Sequence, residues 1–189
     1  MYCRVSHLVS NKFRHLLAEM FAYCIAAAHL ELPHQLIDSL MVSDISASIE
    51  GWPLVDSIPA EETCEFARNM DREKYPVPGV VHLCQRYGVG NDWFFSKRRI
   101  PSDIYDCSAP LFAEPPSDLA TLYDYREMPH GDRKPMSPKE SNRYSFMICY
   151  LYSLLNEAAT FYKQGACTED SINLQKTRNL VQYMQENKL

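Results

Sequence analysis

The stretch that decides the fold runs from Val80 to Arg98 and reads VVHLCQRYGVGNDWFFSKR. Its β-branched and apolar start, from Val80 to Cys84, follows turn residues and predicts a short buried strand. Gly88 and Gly90 then interrupt the apolar run, because glycine in a strand pattern marks a turn or a bulge. Trp93–Phe95 follows and predicts a second short strand. The sequence here therefore predicts two strands joined by a turn that contains glycine.

The residues before this stretch predict helices and irregular chain. Apolar side chains recur at three- and four-residue steps from Ser10 onward, which predicts a helix that Pro33 ends near Leu32. An irregular segment is expected over 34–59. A short helix is predicted after Pro59, since the glutamates that follow suit the positive end of its dipole.

The residues after the stretch predict a surface segment and then two helices. Prolines are frequent over 101–138, so an extended segment on the surface is expected there. The run 137–140, Ser-Pro-Lys-Glu, has a cap, a proline in the first turn and a glutamate three residues on, which predicts a helix start. Gly165 is predicted to close this helix, and Thr168 to cap a last helix through Tyr183. The chain as a whole is expected to be α/β, with two helices at its end.

Composition fits one folded domain and excludes two classes of protein. Of the 189 residues, 46% are hydrophobic and 23% are charged. The formal net charge of −5 argues against a general nucleic-acid binder, which needs a basic face. The run 97–99, Lys-Arg-Arg, is the only tight basic cluster, and such a triplet is usually a solvated loop. No segment approaches the roughly 18–20 apolar residues that cross a bilayer, and the first residues have no apolar signal core.

The seven cysteines leave the redox compartment open. None forms the Cys-x-x-Cys spacing of a zinc knuckle or a thioredoxin-type site. Cys24 and Cys149 lie in apolar helical patterns, where a small buried thiol is expected. Those in or near loops could pair in an oxidising lumen, but the sequence assigns no pairs: these are Cys64, Cys84, Cys107 and Cys167. The odd total leaves at least one thiol free.

Two residues and one segment are candidates for chemistry. His82 lies in the first predicted strand, where a histidine is either a core residue or a ligand beside the glycine turn. Glu19 lies in an otherwise apolar or small stretch, where a carboxylate either faces solvent or is held in a cleft. The segment 82–98 combines a histidine, cations, glycines and aromatics, which could hold a sugar diphosphate. A plain turn between two core strands would explain the same residues.

Three motifs in this order resemble one enzyme family. Residues 19–23, Glu-Met-Phe-Ala-Tyr, look like a Glu-Met-Tyr-Ala helix, and His82 is similar to the histidine of a His-Tyr strand. Residues 90–98 resemble a Gly-x-Trp-x-Phe-x-Lys-Arg element. The family is that of the hydroxyproline O-arabinosyltransferases and peptidyl-serine α-galactosyltransferases. The likeness is strongest over residues 16–120 and closest to the algal and serine-directed branch.

The resemblance implies a function, a fold and a compartment. The function is transfer of a sugar from a nucleotide-diphosphate donor to a hydroxyproline or serine hydroxyl of a secreted or cell-wall protein. The fold would be the C-terminal part of a sugar-nucleotide-transferase (GT-A-like) domain over 1–136, with a helical extension over 137–189 packed on it. The enzymes of this family act in the Golgi or the endoplasmic reticulum and use a divalent metal, for which manganese is expected.

The resemblance also implies roles for individual residues. His82 is expected to be a metal ligand, and Glu19 a catalytic residue. Binding of the donor or acceptor is assigned to Gln85, Arg86, Tyr87, Trp93, Phe95 and Lys97.

The chain departs from the family pattern in three places. Residues 14–17 read Arg-His-Leu-Leu where the family has a Gly-Trp pair, and Leu83 replaces a tyrosine. The upstream strand with its acidic Asp-x-Asp-like metal motif is absent. The chain is therefore expected to be a fragment that transfers no sugar by itself. One alternative is a non-catalytic remnant that acts as an interaction module, and another is a cytosolic helical scaffold with an accidental likeness.

Overall fold

The computed structural model describes residues 18–35, 37–71, 73–128 and 131–187. The predicted helix start at Ser10 lies outside these residues. The chain divides into two compact units, Met1–Ile37 and Asp38–Leu189.

The first unit contains helix α1, Ala18–His29. Its end is closed by backbone bonds, since the amide of Leu32 donates to the carbonyl oxygen of Ala27 at 3.0 Å. Pro33 follows directly, so the predicted end of this helix is confirmed to within a few residues. The Tyr23 hydroxyl also lies 2.9 Å from Nε2 of His34, which holds the chain beyond the helix against it.

The second unit mixes five α-helices with eight short strands over its described residues. The helices are α2 Trp52–Asp56, α3 Thr63–Asn69, α4 Leu119–Leu122, α5 Pro138–Ala166 and α6 Leu180–Glu186. The strands are β1 Met41–Val42, β2 Val80–Val81, β3 Tyr87–Val89, β4 Trp93–Phe95, β5 Leu111–Phe112, β6 Tyr125–Glu127, β7 Arg133–Pro135 and β8 Thr177–Arg178.

These strands form four two-stranded sheets. Strands β1 and β2 pair in parallel, as do β5 and β8. Strands β3 and β4 form one antiparallel hairpin, and β6 and β7 form another. A bridge between Gly90 and Arg126 joins the two hairpins.

Helix α5 is the centre of the core. Its start is the predicted capping box: the hydroxyl of Ser137 accepts from the amide of Glu140, and the Glu140 carboxylate accepts from the amide of Ser137. The first half of the helix is buried almost all round, including Phe146, Met147 and Ile148. Because a helix with apolar residues on all sides needs neighbours on all sides, α2, α3, α4 and the hairpin β3–β4 pack around it.

Buried polar groups fix α5 to the preceding elements. The amide nitrogen of Asn142 donates to the carbonyl oxygens of Val55 and Ile58, both at 3.3 Å. The hydroxyl of Thr63 donates to the side-chain oxygen of Asn142. These bonds satisfy backbone carbonyl oxygens in the corner between α2 and α3. Burying those oxygens without a hydrogen bond would lower the stability of the fold.

Two disulfides join distant parts of the second unit. Cys64 of α3 pairs with Cys149 of α5, and Cys107 pairs with Cys167 just after α5. The expected burial is confirmed at Cys149, which is fully buried as one half of a disulfide. It was wrong at Cys24, which is exposed.

Several predicted elements are confirmed and several are wrong. The helix after Pro59, the strand Trp93–Phe95 and the start of α5 are confirmed. The segment 34–59 is not irregular throughout, because it contains β1 and α2. Strand β2 is only two residues long, and its Val80 is 44% exposed rather than buried.

Gly88 and the C-terminal part also differ from the predictions. Gly88 lies within β3 instead of breaking a strand. The segment 101–138 is not confined to the surface, since Phe112 and Leu119 belong to the core. The last helix begins at Leu180 instead of Thr168, because the residues before it form a short 3-10 turn and strand β8.

The mixed α/β class is thus confirmed. The finer assignment to a sugar-nucleotide-transferase fold stays a prediction, and so does the boundary between residues 136 and 137. Within the part of the chain that the structure describes, no helix has the length and apolar character needed to cross a bilayer.

Candidate functional site

The hairpin β3–β4 carries the residues that the sequence singled out. Tyr87 pairs with Phe95, Gly88 with Phe94 and Val89 with Trp93. Because side chains alternate across a strand, the two faces of this hairpin differ. Tyr87, Val89 and Phe95 are buried in the core, whereas Phe94 on the other face is only half-buried.

A cavity of about 390 Å³ lies beside this hairpin. One side comes from the hairpin and its turn, a second from the end of β6 and a third from α6. The lining residues are Arg86, Gly88, Gly90, Asn91, Trp93, Phe94, Arg99, Glu127, Met128, Val181, Met184 and Gln185.

Two further cavities share lining residues with it. One, of about 230 Å³, adds Gln85, Tyr87 and Arg126. The other, of about 420 Å³, adds Asp92, Asn179 and Gln182. Glu127 lines all three cavities, so they form one groove with Glu127 at its centre. These three cavities together make up the groove.

Three guanidinium groups line the groove. Arg86 and Arg99 have no ion pair or side-chain hydrogen bond with any described residue. Arg126 lies over the ring of Tyr144, 5.0 Å from its centroid, and likewise has no carboxylate within ion-pair distance among the described residues. Guanidinium groups without an ion pair among the described residues are available to an anionic ligand, although the carboxylate of Glu127 lines the same groove.

The turn between β3 and β4 is held in place by two tyrosines. Gly90 has a φ of +60°, and a Cβ at this position would lie 2.7 Å from the ring of Tyr123. The Tyr123 hydroxyl donates to Oδ2 of Asp92 at 2.6 Å, and this bond to a carboxylate is the main reason that the pKa of Tyr123 rises to about 12. The Tyr125 hydroxyl donates to Oδ1 of Asn91 at 3.1 Å. The polar side chains of this turn therefore have fixed directions.

Four of the predicted site residues line the groove: Gln85, Arg86, Tyr87 and Trp93. Phe95 is instead a core residue, and Lys97 is exposed beyond the end of β4. The alternation expected over Trp93, Phe95 and Lys97 does not extend to Lys97, because the strand ends at Phe95.

Tyr87 has a structural role at the edge of the groove. Its buried hydroxyl donates to the carbonyl oxygen of Ser43 at 2.8 Å and lies 3.3 Å from that of His82. Burial is the largest cause of the raised pKa of Tyr87, so its hydroxyl stays protonated over the ordinary pH range. The side chain thereby fixes the loop that precedes β3.

The predicted metal ligand does not line the groove, and the position of the predicted catalytic carboxylate is not described. His82 is exposed in the loop after β2, and the side chain of Glu19 lies outside the described residues. Over the described ranges, no three His, Cys, Asp or Glu side chains come together to hold a metal ion. A single histidine binds a hard divalent cation poorly, so these residues do not make a manganese site by themselves.

Sequence reasoning missed the wall opposite the hairpin. Glu127 reaches the groove through the bridge between Gly90 and Arg126, and Val181, Met184 and Gln185 reach it because α6 packs against β4. No local pattern marks these residues, since only the tertiary contacts bring them to the hairpin. Arg99 could have been found from the sequence, because it is the last residue of the basic run 97–99.

Comparisons with known proteins give no relative for this chain. No protein-family model matches it, and neither a characterised protein nor a solved structure shows significant similarity to it.

Proposed function

We propose that this chain is the C-terminal part of a GT-A-like glycosyltransferase, and that its groove binds the nucleotide-diphosphate sugar donor. The acceptor in this proposal is a hydroxyproline or serine hydroxyl of a secreted or cell-wall protein. One observation carries the proposal. The groove brings Gln85, Arg86 and Trp93, which the family resemblance singled out, together with two further arginines that it did not.

The groove offers the contacts that such a donor needs. A diphosphate carries concentrated negative charge, and planar guanidinium groups bind phosphate oxygens through paired hydrogen bonds. Arg86 and Arg99 line the same cavity, and neither forms an ion pair with a described residue. Trp93 and Phe94 add half-buried aromatic faces, which pack against a sugar or a base.

The same cations would act in the transfer step. As the bond between the sugar and the diphosphate breaks, negative charge grows on the departing oxygen. Positive groups placed beforehand at this position stabilise the transition state more than the ground state. We assign this role to Arg86 and Arg99.

The disulfides support a lumenal compartment. Disulfides form and persist in the endoplasmic reticulum and beyond it, and are rare in the cytosol. Both Cys64–Cys149 and Cys107–Cys167 lie within the second unit. They are the features of the structure that favour the Golgi or the endoplasmic reticulum over the cytosol.

Binding of nucleoside diphosphates and of a panel of nucleotide-diphosphate sugars to the purified chain tests the proposal. Calorimetry at low salt should show binding that weakens at least tenfold in the double variant Arg86→Ala/Arg99→Ala, because two charge-assisted contacts are lost. Arg98→Ala is the matched control, since Arg98 belongs to the same basic run but does not line the groove. Absence of binding by the wild-type chain would overturn the proposal.

Transfer is measured separately from binding. The chain is incubated with manganese, the nucleotide sugars and peptides rich in hydroxyproline or serine, and products are sought by mass spectrometry. Glycosylated peptide above a heat-killed control would show that the residues of this chain suffice for catalysis. Binding without product favours the alternative of a non-catalytic module that keeps the ligand groove.

A further inference from the structure

We propose that Glu127, at the centre of the groove, and Asn91 and Gln185, towards one end of it, form a subsite for the hydroxyl groups of a neutral sugar. The inference rests on the proposed function, because it assigns the sugar and the diphosphate of one ligand to different ends of the same groove. The sequence singled out neither Glu127 nor Gln185, and it included Asn91 only as a member of the segment 82–98.

The groove differs in charge along its length. The cavity at one end has Arg86 and Arg126 in its lining together with Glu127, and Arg99 lines the central cavity. The cavity at the other end has no basic residue in its lining, which is made of Asn91, Asp92, Glu127, Asn179, Val181, Gln182 and Gln185. The first end suits a phosphate. The second suits a neutral group with many hydroxyls, since amides and carboxylates together supply donors and acceptors.

The polar atoms at the second end fall into two sets. Asn179 and Gln182 are already engaged: the side-chain oxygen of Asn179 caps α6 by accepting from the amide of Gln182 at 3.0 Å, and the Gln182 side chain donates to Glu186 at 3.0 Å. By contrast, the carboxylate of Glu127 and the amide of Gln185 have no hydrogen bond or ion pair with any described residue. They are free to bind a ligand.

The side-chain amide of Asn91 has its oxygen engaged in a hydrogen bond and its NH2 group free. Its Oδ1 accepts from the Tyr125 hydroxyl at 3.1 Å, which leaves its two N–H groups as donors. A carboxylate that only accepts and an amide that donates therefore lie in the lining of one cavity. A sugar hydroxyl, which donates one hydrogen bond and accepts others, matches this pair.

Both walls of the subsite are rigid. The turn is fixed by the contact between Gly90 and Tyr123 and by the bond from Tyr123 to Asp92. Helix α6 is anchored by its fully buried Leu180, and Nδ2 of the Asn179 side chain donates to the backbone oxygen of Asp92 at 3.4 Å. Because little ordering is needed on binding, few contacts suffice for specificity.

Trp93 lies in the adjoining central cavity. Its ring is half-buried and packs edge to face against Tyr152, with ring centroids 6.0 Å apart. This contact holds the indole in one orientation. The apolar side of a sugar can pack on such a face while its hydroxyls reach Glu127, so the order along the groove is diphosphate, sugar ring and hydroxyl subsite.

Saturation-transfer NMR on the full chain tests this order, because it reports contacts separately for the protons of each part of a ligand. With a nucleotide-diphosphate sugar, the wild-type chain should transfer saturation to both nucleotide and sugar protons. Glu127→Gln and Gln185→Ala should abolish the sugar signals and weaken binding of the nucleotide sugar about tenfold, since hydrogen bonds to a charged group are worth more than neutral ones. Affinity for the nucleoside diphosphate alone should not change.

Glu186→Gln is the matched control on the same helix, because it makes the same change of charge as Glu127→Gln at a residue that does not line the groove. It should leave the sugar signals intact. Thermal melting of each variant checks that the fold is kept. If the sugar signals persist in both test variants while nucleotide binds, the subsite is wrong and the proposed function stands. If the wild-type chain binds neither ligand, the proposed function fails and the subsite fails with it.

Discussion

Arg143 and Asp56 form a two-bond ion pair between residues 87 positions apart in the sequence. Nε of Arg143 lies 2.7 Å from Oδ1 of Asp56, and NH2 lies 2.6 Å from Oδ2. The buried guanidinium also donates to the carbonyl oxygen of Ile45 at 2.5 Å and lies over the ring of Trp52. This one side chain therefore connects α5 to α2 and to the loop before it.

Removing Arg143 should be strongly destabilising. Arg143→Met leaves Asp56 with only Lys139, whose Nζ lies 3.1 Å from Oδ2, and leaves the carbonyl of Ile45 without its donor. Loss of one partner from a buried ion pair costs roughly 3–5 kcal/mol. Lys139→Met is the control and should cost at most ~1 kcal/mol, because Lys139 is exposed. Urea unfolding measures both, and equal losses would refute the special role of Arg143.

The same pair makes stability depend on acid pH. Burial raises the pKa of Asp56, but the bonds from Arg143 and Lys139 lower it by more, so the folded-state pKa lies below its usual range. A carboxyl with a depressed pKa contributes stability that is complete above its unfolded pKa of about 3.9 and is lost as the pH falls through the folded value. Asp56→Asn should therefore lose stability at neutral pH and flatten the decline below about pH 4. An unchanged acid slope would contradict this assignment.

Gly90 should tolerate no side chain. Gly90→Ala places a methyl group 2.7 Å from the Tyr123 ring and also forces alanine to adopt a positive φ. Gly131 is the matched control, because its φ is +84° but nothing lies within 4 Å of the added Cβ. Gly131→Ala should cost ~1 kcal/mol from backbone strain alone, and Gly90→Ala should cost more by a further ~1–3 kcal/mol. Equal losses by chemical denaturation would show that the ring contact carries no constraint.

The two disulfides should be measurable directly. Under non-reducing conditions, peptide mapping should find Cys64 linked to Cys149 and Cys107 linked to Cys167. Cys149→Ser should lower the free energy of unfolding by about 2–5 kcal/mol, because the bridge closes a long loop. Cys84→Ser should leave it nearly unchanged, since Cys84 is exposed and unbridged. Any other pairing in the map would contradict the structure.

The capping box at the start of α5 should contribute to the free energy of unfolding. Ser137→Ala removes the acceptor for the amide of Glu140 and should cost about 0.5–2 kcal/mol. Ser137→Thr keeps a hydroxyl acceptor and should recover most of that loss. Thermal unfolding distinguishes the two, and a threonine variant as unstable as the alanine variant would point to packing instead of the cap.

The elements that sequence could predict are those whose signals are local. The start of α5 is encoded within four residues by its cap, proline and glutamate, and the structure has that same bond pattern. The strand Trp93–Phe95 is likewise encoded by adjacent aromatic residues. The segment before α6 has no comparable signal. Its Thr177 and Arg178 form a strand because β5 pairs with them and because Arg178 bonds both oxygens of Asp103.

The residues of the candidate site likewise include some that the sequence could indicate and some that it could not. Arg86 and Trp93 could be found from the sequence because they belong to one unusual segment. Glu127 and Gln185 could not, since one comes from a second hairpin and the other from the last helix. Only the packing of these elements against β3 and β4 makes them neighbours.

The pairing of β5 with β8 sets the order of events during biosynthesis. Leu111 and Phe112 emerge from the ribosome long before their partners Thr177 and Arg178 are synthesised. Phe112, which is 1% exposed in the folded protein, can pack on Tyr152 of α5 earlier, but Arg178 covers its ring only when translation has passed β8. Folding of the second unit should accordingly be completed only after β8 has left the ribosome.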